Sequence, residues 1–278
     1  MSGHYRGKNE SIKRVMSQVA RVNFIRYDAS VSKALDLIGA RERLPQKGLI
    51  IIKPNLTNAS PPPVTTNVLA AEAVLDYCRR YSKAEIAIGE GCGEGITQDT
   101  FEANGYAKLG RTHGIRLIDF NREKSVTVKL ERAFQVKEFH LPEVARDAFI
   151  VSLPILKDHS FTKTTIAMKN MFGLAPAPFY RGSWNKSKLH HPSTHLSVVD
   201  VCLYRKPDLC VVDAVVALAG MHMAGTHRNL GLILAGFDPV AVDAVGSRLM
   251  NHNPAGIEYL ARAQGLLGDM ENIEVVDG

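Results

Sequence analysis

The sequence lacks several patterns that would assign it to a familiar functional class. Its four cysteines include no CxxC pair, so we expect neither a ferredoxin-type cluster nor a zinc ribbon within the chain. No apolar run reaches the length of about 18 residues that a transmembrane helix needs. The amino terminus is polar, without the apolar stretch of a signal peptide. These absences predict a cytoplasmic protein with reduced cysteines and no membrane partner.

The charge pattern favours a small anionic partner over nucleic acid. The chain of 278 residues has a formal net charge of +6, but residues 1–19 carry four basic side chains against Glu10 alone, which predicts a flexible basic tail. The sequence has no cluster of arginines with interleaved aromatic residues, the pattern typical of a nucleic-acid surface. We therefore expect a small anionic ligand and no nucleic acid.

Hydrophobic patterns predict an α/β fold, with a mostly parallel sheet or sheets flanked by helices. Short apolar runs at 48–53, 86–88 and 148–153 have the form of buried strands, and they alternate with helical patterns such as 68–81. A further helix is expected at 162–171.

The expected organisation is two lobes with a cleft between them. The amino-terminal α/β lobe is predicted to span 20–147 and the carboxy-terminal α/β lobe 148–278. A long loop at 173–192, which contains the lone Trp184, is expected to fold over the site as a lid.

Candidate binding residues follow the predicted strand at 48–53. Lys53, Pro54 and Asn55 end this strand, and Thr66 lies at the start of the next helix. In open α/β sheets ligands gather at the carboxyl ends of strands, and helix amino termini offer free N–H groups to anions. Lys53 is therefore either a surface lysine or, with Asn55 and Thr66, part of an anion-binding site.

A glycine-rich turn follows the predicted strand at 86–88. Four glycines within residues 89–95 allow the backbone to approach a ligand closely, which makes Gly91 a binding candidate. The turn has neither the ending of a Walker motif nor GxGxxG spacing. Glu90 is a candidate acid/base or metal group and Cys92 a candidate ligand or reactive thiol, with a plain flexible turn as the alternative.

The segment after the predicted strand at 148–153 is the most informative. Lys157 and His159 follow the strand, and Lys169 lies ten residues beyond His159 in an apolar stretch, next to Asn170. Two cations and an imidazole at a strand end indicate an anionic ligand and proton chemistry. A partly buried lysine has a lowered pKa and can act as a base or form a covalent bond. The alternative is a set of exposed polar residues around a helix start.

Histidines give a weaker indication of a metal site. His191 and His195 precede a predicted helix without the HExxH spacing of zinc proteases. A site can still be assembled from residues that are distant in sequence, so the candidate metal ligands are His191, His195 and Cys92. Another alternative assigns Cys92 to an iron–sulfur cluster that is completed by cysteines of a partner chain.

Together these motifs resemble the domain of unknown function 362, over roughly residues 20–270. The resemblance rests on the order of Lys53-Pro54-Asn55, Gly89-Glu90-Gly91, Leu153-Pro154-x-x-Lys157-x-His159, Met168-Lys169-Asn170-Met171-Phe172-Gly173 and Ala235-Gly236-x-Asp238-Pro239-x-Ala241-x-Asp243. Some members carry an added four-iron ferredoxin module, whose cysteines this chain lacks. The family resemblance itself implies no particular reaction.

A more distant resemblance concerns the nickel-pincer lactate racemases, which also have two α/β lobes. In that family a histidine is followed ten residues later by a lysine that is attached covalently to the pincer cofactor. His159 and Lys169 match this spacing, but the family's glycine-rich sequence before the lysine is replaced here by residues 164–168. The resemblance implies a nickel-pincer cofactor as one alternative.

The sequence therefore predicts an enzyme that acts on a small anionic metabolite, a carboxylate or phosphate, between two lobes. The catalytic candidates are His159, Lys169 and Glu90, the last as partner of the histidine. The substrate-binding candidates are Lys53, Asn55, Thr66, Gly91, Lys157 and Asn170.

Two reactions are predicted for this site: proton transfer, as in racemisation, or a redox step with an external electron donor. The alternatives left open are a nickel-pincer racemase or epimerase of 2-hydroxy acids, and a non-catalytic metal-binding, ligand-binding or iron–sulfur-associated protein. The cofactor is not determined, with a metal, a nickel pincer or an external iron–sulfur cluster as candidates.

Overall fold

The computed structural model describes residues 16–278. The strands in this part of the chain are β1 (Ser17–Asn23), β2 (Leu49–Pro54), β3 (Glu85–Glu90), β4 (Arg116–Asp119), β5 (Ser125–Lys129), β6 (Glu138–Pro142), β7 (Phe149–Leu153), β8 (Ile155–His159), β9 (Lys163–Thr165), β10 (Leu209–Ala219), β11 (Thr226–Gly236) and β12 (Ile273–Asp277).

The α-helices over the same residues are α1 (Tyr27–Leu37), α2 (Val68–Tyr81), α3 (Thr97–Ala103), α4 (Tyr106–His113), α5 (Glu143–Arg146), α6 (Ala167–Asn170), α7 (Ala177–Tyr180), α8 (Thr194–Tyr204), α9 (Pro239–Leu249) and α10 (Glu258–Ala263). Short 3-10 helices occupy Ala40–Glu42, Met171–Leu174, Ser187–His190 and Pro254–Gly256. None of the helices within residues 16–278 is long and apolar enough to cross a membrane.

Ten strands form one mostly parallel sheet flanked by helices, which confirms the predicted α/β class. The strand order is β12-β1-β11-β10-β7-β2-β3-β4, and β8 pairs with β10 and β9 beside this path. β2 lies between β3 and β7 and is parallel to both. β5 and β6 form a separate antiparallel pair.

Both faces of the central strand β2 are buried. Ile50 and Ile52 join one apolar core with residues of α2, whereas Ile51 joins a second core with residues of α8. A strand that is covered on both faces carries apolar residues in succession, which explains the unbroken apolar run in the sequence. The sheet is thus the middle layer between helices.

The segment after β8 differs from the prediction of one helix over 162–171. Residues 163–165 form β9, which pairs antiparallel with β8, and α6 covers only Ala167–Asn170. Thr164 and Thr165 are β-branched and suit a strand. Pairing with β8, in which Thr165 lies opposite Lys157, overrides the helical spacing of the sequence.

The main sheet crosses the predicted boundary between the two lobes. β7 pairs with β2, and β1 pairs with β11 and β12 near the end of the chain. The division into two lobes stays a prediction. Any such division has to be compatible with one sheet that contains strands from both parts of the chain. Of the predicted basic tail, residues 1–15 lie outside the described residues, and residues 17–19 begin β1.

Parallel pairing brings several strand ends to one edge of the sheet. β3 and β7 are parallel to β2, and β10 is parallel to both β7 and β8. Lys53, Glu90 and His159 therefore stand at or beside the same edge, where open α/β sheets hold their ligands.

Candidate functional site

A cavity of about 350 Å³ lies at this edge of the sheet. Its wall combines the ends of β2, β3 and β8 with α6, parts of the segment 171–190 and the tip of the β10–β11 hairpin. Of the residues predicted from the sequence, the wall contains Asn55, Glu90, Gly91, Lys157, His159, Lys169 and Asn170. Residues that are more than a hundred positions apart in sequence thus meet at one site.

Lys53 and Glu90 form a buried ion pair, in which Glu90 belongs to the wall and Lys53 lies behind it. Lys53 Nζ lies 2.8 Å from Glu90 Oε2, and the two side chains are 0% and 3% exposed. Glu90 also accepts hydrogen bonds from the main-chain N–H groups of Leu56 and Gly91, at 3.2 and 2.8 Å. Burial lowers the pKa of Lys53 and raises the pKa of Glu90, and their mutual attraction opposes both shifts.

These contacts change the roles expected for the pair. Lys53 is not part of the cavity wall, so it acts on a ligand only through its charge and its neighbours. The Glu90 carboxylate is occupied by three donors that do not include His159. The structure therefore does not form the predicted hydrogen-bonded pair of Glu90 and His159.

Asn170 connects α6 to the central strands. Its Oδ1 accepts from Lys53 Nζ at 3.1 Å and from Asn55 Nδ2 at 3.3 Å. Its Nδ2 donates to the carbonyl of Lys53 and to Ser152 Oγ, each at 3.0 Å. Because all of these bonds are buried or partly buried, Asn170 holds the helix that carries Lys169 against β2 and β7.

Asp243 holds the other end of α6. Its Oδ1 accepts from the N–H of Ala167 at 2.8 Å, and its Oδ2 accepts from the N–H of Met168 at 3.3 Å and from the Tyr259 hydroxyl at 3.0 Å. Burial raises the pKa of Asp243 to about 7. These bonds fix the main chain immediately before Lys169.

Two glycines allow the segment 171–174 to close against the glycine-rich turn. A Cβ at Gly91 would lie 2.7 Å from the carbonyl oxygen of Gly173, and a Cβ at Gly173 would lie 1.8 Å from Glu90 Oε1. Both positions need the absence of a side chain, because other parts of the protein occupy the space. Gly91 therefore also serves the packing of the chain against itself.

Two of the three lysines in the cavity wall donate to protein oxygens. Lys157 Nζ donates to the carbonyl of Val64 at 2.8 Å. Lys186 Nζ donates to Asn121 Oδ1 at 2.5 Å and to the carbonyl of Ala175. Burial is the main reason that the pKa of each lysine is lowered to about 7.

Lys169 is different, because its Nζ donates no hydrogen bond to any residue that the structure describes. It lies 3.8 Å from the centre of the Phe172 ring. Burial and then the charges of Lys157 and Lys53 lower the pKa of Lys169 to about 7. Its side chain is thus a buried amine that faces the cavity without a protein acceptor.

Three histidine rings form one side of the cavity. His159 and His222 stack with their ring centres 4.2 Å apart, and the His190 ring lies 6.3 Å from that of His159. Burial lowers the pKa of His159 far below its usual value, that of His190 to about 3 and that of His222 to about 4. His159 Nδ1 accepts from the N–H of Phe161 at 3.1 Å, so the neutral ring carries its proton on Nε2.

Unpartnered polar atoms are concentrated at this cavity. Within residues 16–278, the buried side-chain atoms without a hydrogen-bond partner are Asn55 Oδ1, Thr165 Oγ1 and His222 Nδ1, and all three residues line the cavity. Leaving a buried polar atom unsatisfied costs about 1–3 kcal/mol, so such atoms are rare away from functional sites. Their grouping indicates hydrogen bonds that a ligand or water completes.

Thr66 does not reach the cavity. Its hydroxyl donates to the carbonyl of Leu153 at 2.8 Å and accepts from the N–H of Asn55 at 2.9 Å. It therefore fixes the turn after β2 and so orients Asn55, without being part of the wall.

The structure does not bring the predicted metal ligands together. Cys92 is fully buried beside Thr97, and burial raises the pKa of its thiol. His191 is exposed, and His195 Nδ1 accepts from the N–H of Tyr259 at 3.3 Å. The described residues contain no group of three or more histidine, cysteine, aspartate or glutamate side chains that could hold a metal ion. A cluster shared with a partner chain would require the turn around Cys92 to open.

Sequence reasoning missed several polar residues of the wall, including Lys186, Thr165, His190 and His222. Lys186 lies in the loop at 173–192, and Thr165 lies in the strand predicted as a helix. The feature of the sequence that could have indicated Lys186 is its position two residues after the lone Trp184 in a long loop. That loop supplies Gly173, Trp184, Lys186 and His190 to the wall, so it packs on the side of the sheet where a lid was expected.

Comparison with known proteins places the chain in a family. A family model described as domain of unknown function (DUF362) matches residues 50–248. A thylakoid-associated protein of Synechocystis sp., sll1697, is 26% identical over 249 residues, which cover 86% of this chain and 74% of that protein. Because the family model matches well over half of the sequence, the chain belongs to the DUF362 family.

Proposed function

We propose that the cavity binds a small anionic metabolite and that the protein is an enzyme which transfers a proton to or from it. The observation that carries this proposal is the set of unsatisfied groups in one wall. Asn55, Thr165 and His222 each present a buried polar atom without a partner, and Lys169 presents an amine without an acceptor. A ligand that combines oxygen acceptors for Lys169 and Thr165 with a hydroxyl donor for Asn55 Oδ1 would satisfy these groups together.

The charges of the wall favour a carboxylate or phosphate. Lys157, Lys169 and Lys186 line the cavity with only two carboxylates, Glu90 and Glu94, and Glu90 is already paired with a lysine behind the wall. An anion that enters would be held by charge-assisted hydrogen bonds from the N–H groups of the wall lysines. Cations preorganised in this way also stabilise negative charge that develops during a reaction.

Lys169 and His159 would divide the chemistry between them. A lysine with a pKa of about 7 is partly unprotonated at neutral pH, so Lys169 can accept a proton from the ligand. His159 has a strongly lowered pKa and a proton on Nε2, so it would act as a neutral hydrogen-bond donor to a ligand oxygen. Of the catalytic candidates from the sequence, we therefore assign the base role to Lys169 and the donor role to His159.

Binding can be measured through the lone Trp184, which lines the cavity. We expect lactate, pyruvate or inorganic phosphate to change its fluorescence in a saturable way and to raise the melting temperature as a ligand of the folded state does. Lys157→Met and Lys169→Met would weaken binding about tenfold or more, the effect of losing one charge-assisted contact. Lys163→Met, which removes an exposed lysine of the same hairpin, is the matched control.

Catalysis can be measured separately, as exchange of carbon-bound hydrogen with deuterium. In D₂O, we expect NMR to show loss of the proton beside the carboxylate of a bound acid. Removing the base in Lys169→Met should slow this exchange about 100-fold or more. Absence of both saturable binding and thermal stabilisation with every anion would contradict the binding proposal, and binding without exchange would contradict the catalytic one.

A nickel-pincer racemase or epimerase of 2-hydroxy acids is a second candidate, because Lys169 and His159 line the same cavity. The described residues supply an amine and imidazoles but no ligand set for a metal, so no step through nickel is derived. Intact-mass and nickel analysis of protein from its native host tests this candidate. An added mass on Lys169 with stoichiometric nickel would support it, whereas unmodified Lys169 would contradict it.

The redox reaction with an external electron donor, the cytoplasmic location and the absence of nucleic-acid or membrane partners stay predictions. Because a relative is described as thylakoid-associated, membrane association is the alternative location to test. Fractionation of native cells decides between these locations: recovery with the soluble fraction is expected, and recovery with membranes would contradict it.

A further inference from the structure

The wall lysines differ in the freedom of their nitrogen atoms. The Nζ atoms of Lys157 and Lys186 each donate to a main-chain carbonyl, so these two side chains are anchored as donors. The Nζ atom of Lys169 donates to no described residue and lies 3.8 Å from the centre of the Phe172 ring. Among these three lysines, Lys169 is therefore the one whose nitrogen no described protein acceptor holds in place.

Two opposing influences set the charge of Lys169. Contact with the Phe172 ring favours the ammonium form. Burial and the charges of Lys157 and Lys53 favour the neutral amine, and their combined effect lowers the pKa of Lys169 to about 7. The amine is the nucleophilic form of lysine, and desolvation near a second cation is a recognised way to produce it.

An acid group would be held beside this amine. Thr165 lies opposite Lys157 in the antiparallel pair of β8 and β9, and its hydroxyl is buried without a partner. Lys157 Nζ has further N–H groups besides the one that Val64 accepts. Lys157 and Thr165 together provide donors for a carboxylate, and Lys157 is close enough to Lys169 for its charge to affect that amine.

From this arrangement we propose that Lys169 forms a covalent imine with the carbonyl carbon of a small 2-oxo acid, whose carboxylate is held by Lys157 and Thr165. This inference rests on the proposed anion-binding function and specifies its substrate class. A 2-oxo acid carries its carbonyl carbon directly next to its carboxylate. This matches two neighbouring lysines, because Lys157 would bind the carboxylate while Lys169 attacks the carbonyl carbon. The cavity of about 350 Å³ lies at the lower end for ligand sites, which suits a small acid.

The step needs no oxidant, reductant or metal. The lone pair of Lys169 Nζ forms a bond to the carbonyl carbon, and a proton moves from nitrogen to the former carbonyl oxygen. Loss of that oxygen as water, with a second proton from nitrogen, breaks the C–O bond and completes the C=N bond. The Nε2 proton of His159 is available to polarise the carbonyl oxygen during attack. Protonation of the imine then acidifies the neighbouring C–H bond, which links the adduct to proton transfer.

The experiment traps the adduct by reduction. The full-length protein is incubated with pyruvate and sodium cyanoborohydride, and intact-mass spectrometry with peptide mapping locates the product. We expect a single adduct on Lys169, with an added mass equal to pyruvic acid less one oxygen atom. Acetone, which has a carbonyl but no carboxylate, should react at least about tenfold more slowly, the loss expected for one charge-assisted contact.

Variants test the two roles independently. Lys169→Arg should give no adduct, Lys157→Met should slow trapping about tenfold, and Lys163→Met should react like the wild type. Because the site is mapped in the wild type, the result does not depend on the folding of any variant. Adducts spread evenly over exposed lysines, or equal rates with acetone and pyruvate, would overturn the imine proposal.

A ligand without a carbonyl group distinguishes failure of the imine proposal from failure of the anion-binding proposal. Lactate has the carboxylate but no carbonyl group, so it reports binding alone through Trp184 fluorescence and thermal stabilisation. If lactate binds and pyruvate gives no adduct, the imine proposal fails and the anion site stands. If neither ligand binds and no adduct forms, both proposals fail.

Discussion

The Lys53 ammonium lies 2.8 Å from the Glu90 carboxylate in the interior of the protein, and Gly173 covers the pair. A Cβ at Gly173 would lie 1.8 Å from Glu90 Oε1 and 2.6 Å from Lys53 Nζ. The main chain at this position therefore packs directly against the ion pair, of which Glu90 lines the cavity and Lys53 does not. Because water is excluded, each charge depends on the other for its stabilisation.

Gly173→Ala should destabilise the protein. The added methyl group overlaps two buried charged side chains that cannot move to solvent, so we expect the free energy of unfolding to fall by at least about 2 kcal/mol. Urea denaturation measures this loss. Gly256→Ala is the control, because a Cβ at Gly256 has no neighbour within 4 Å, and it should change the free energy by less than about 0.5 kcal/mol. Equal effects of the two substitutions would contradict this packing.

Removing one charge of the ion pair should lower the free energy of unfolding more than removing both charges together. Lys53→Met leaves the Glu90 charge buried without its partner, and we expect a loss of about 3–5 kcal/mol in the free energy of unfolding. In Lys53→Met/Glu90→Gln no unpaired charge remains, while the amide oxygen can still accept from the main chain. The double variant should therefore be more stable than Lys53→Met, as equilibrium denaturation of all four proteins of the cycle would show. Additive losses would mean that the two charges do not stabilise each other.

Asp243 should make stability depend on pH in a defined direction. Burial raises its pKa from 3.8 to about 7 in the folded protein, so between these values the folded state binds more protons than the unfolded state. The contribution of Asp243 to stability is complete below about pH 4 and is lost as the pH rises through about 7. Compared with Asp243→Asn, the wild type should have its largest advantage in unfolding free energy in acid and its smallest near pH 8.

Urea denaturation of both proteins across this range measures that difference. Because the histidines of the cavity are present in both proteins, their titration cancels in the comparison. An advantage of the wild type that grows as the pH rises from about 5 to about 8 would contradict the raised pKa of Asp243.

The charge of Lys157 should control the reactivity of Lys169. In the wild type we expect the rate of acetylation of Lys169 to rise with pH around a midpoint near 7, because only the amine reacts. Lys157→Met removes a positive charge that lowers the pKa of Lys169, so the midpoint should move to higher pH. Pulse labelling with peptide mass spectrometry measures the midpoint, and exposed Lys163 provides the reference within the same sample. An unchanged midpoint would exclude the electrostatic coupling.

Some of the site followed from local sequence because it is tied to strand ends. Lys157 and His159 follow an apolar run, and parallel strands align their carboxyl ends, so their presence at the cavity was predictable. Lys169 was recognisable as a lysine in an apolar stretch, which indicated its burial. The helix predicted around it was wrong at its start, because tertiary pairing of Thr165 with Lys157 formed a strand instead.

Other parts of the site depended on contacts between distant segments. Glu90 and Lys53 were both plausible ligand groups in the sequence, and nothing local showed that they are paired with each other. Likewise Lys186, His190 and His222 come from a long loop and from the tip of a hairpin, whose paths are set by packing. His191, His195 and Cys92 were the predicted metal ligands, and the described residues form no group of three or more such side chains that could hold a metal ion.

The sequence by itself determined the α/β class and the edge of the sheet that carries the site, because hydrophobic periodicity and strand ends are local properties of the chain. Only the tertiary structure decided which polar groups neutralise each other and which remain unsatisfied. Hydrogen bonds and ion pairs depend on distances of about 3 Å between residues that are far apart in sequence. Lys53 thereby became a buried structural cation, while Lys169 kept a nitrogen without a protein partner at the cavity.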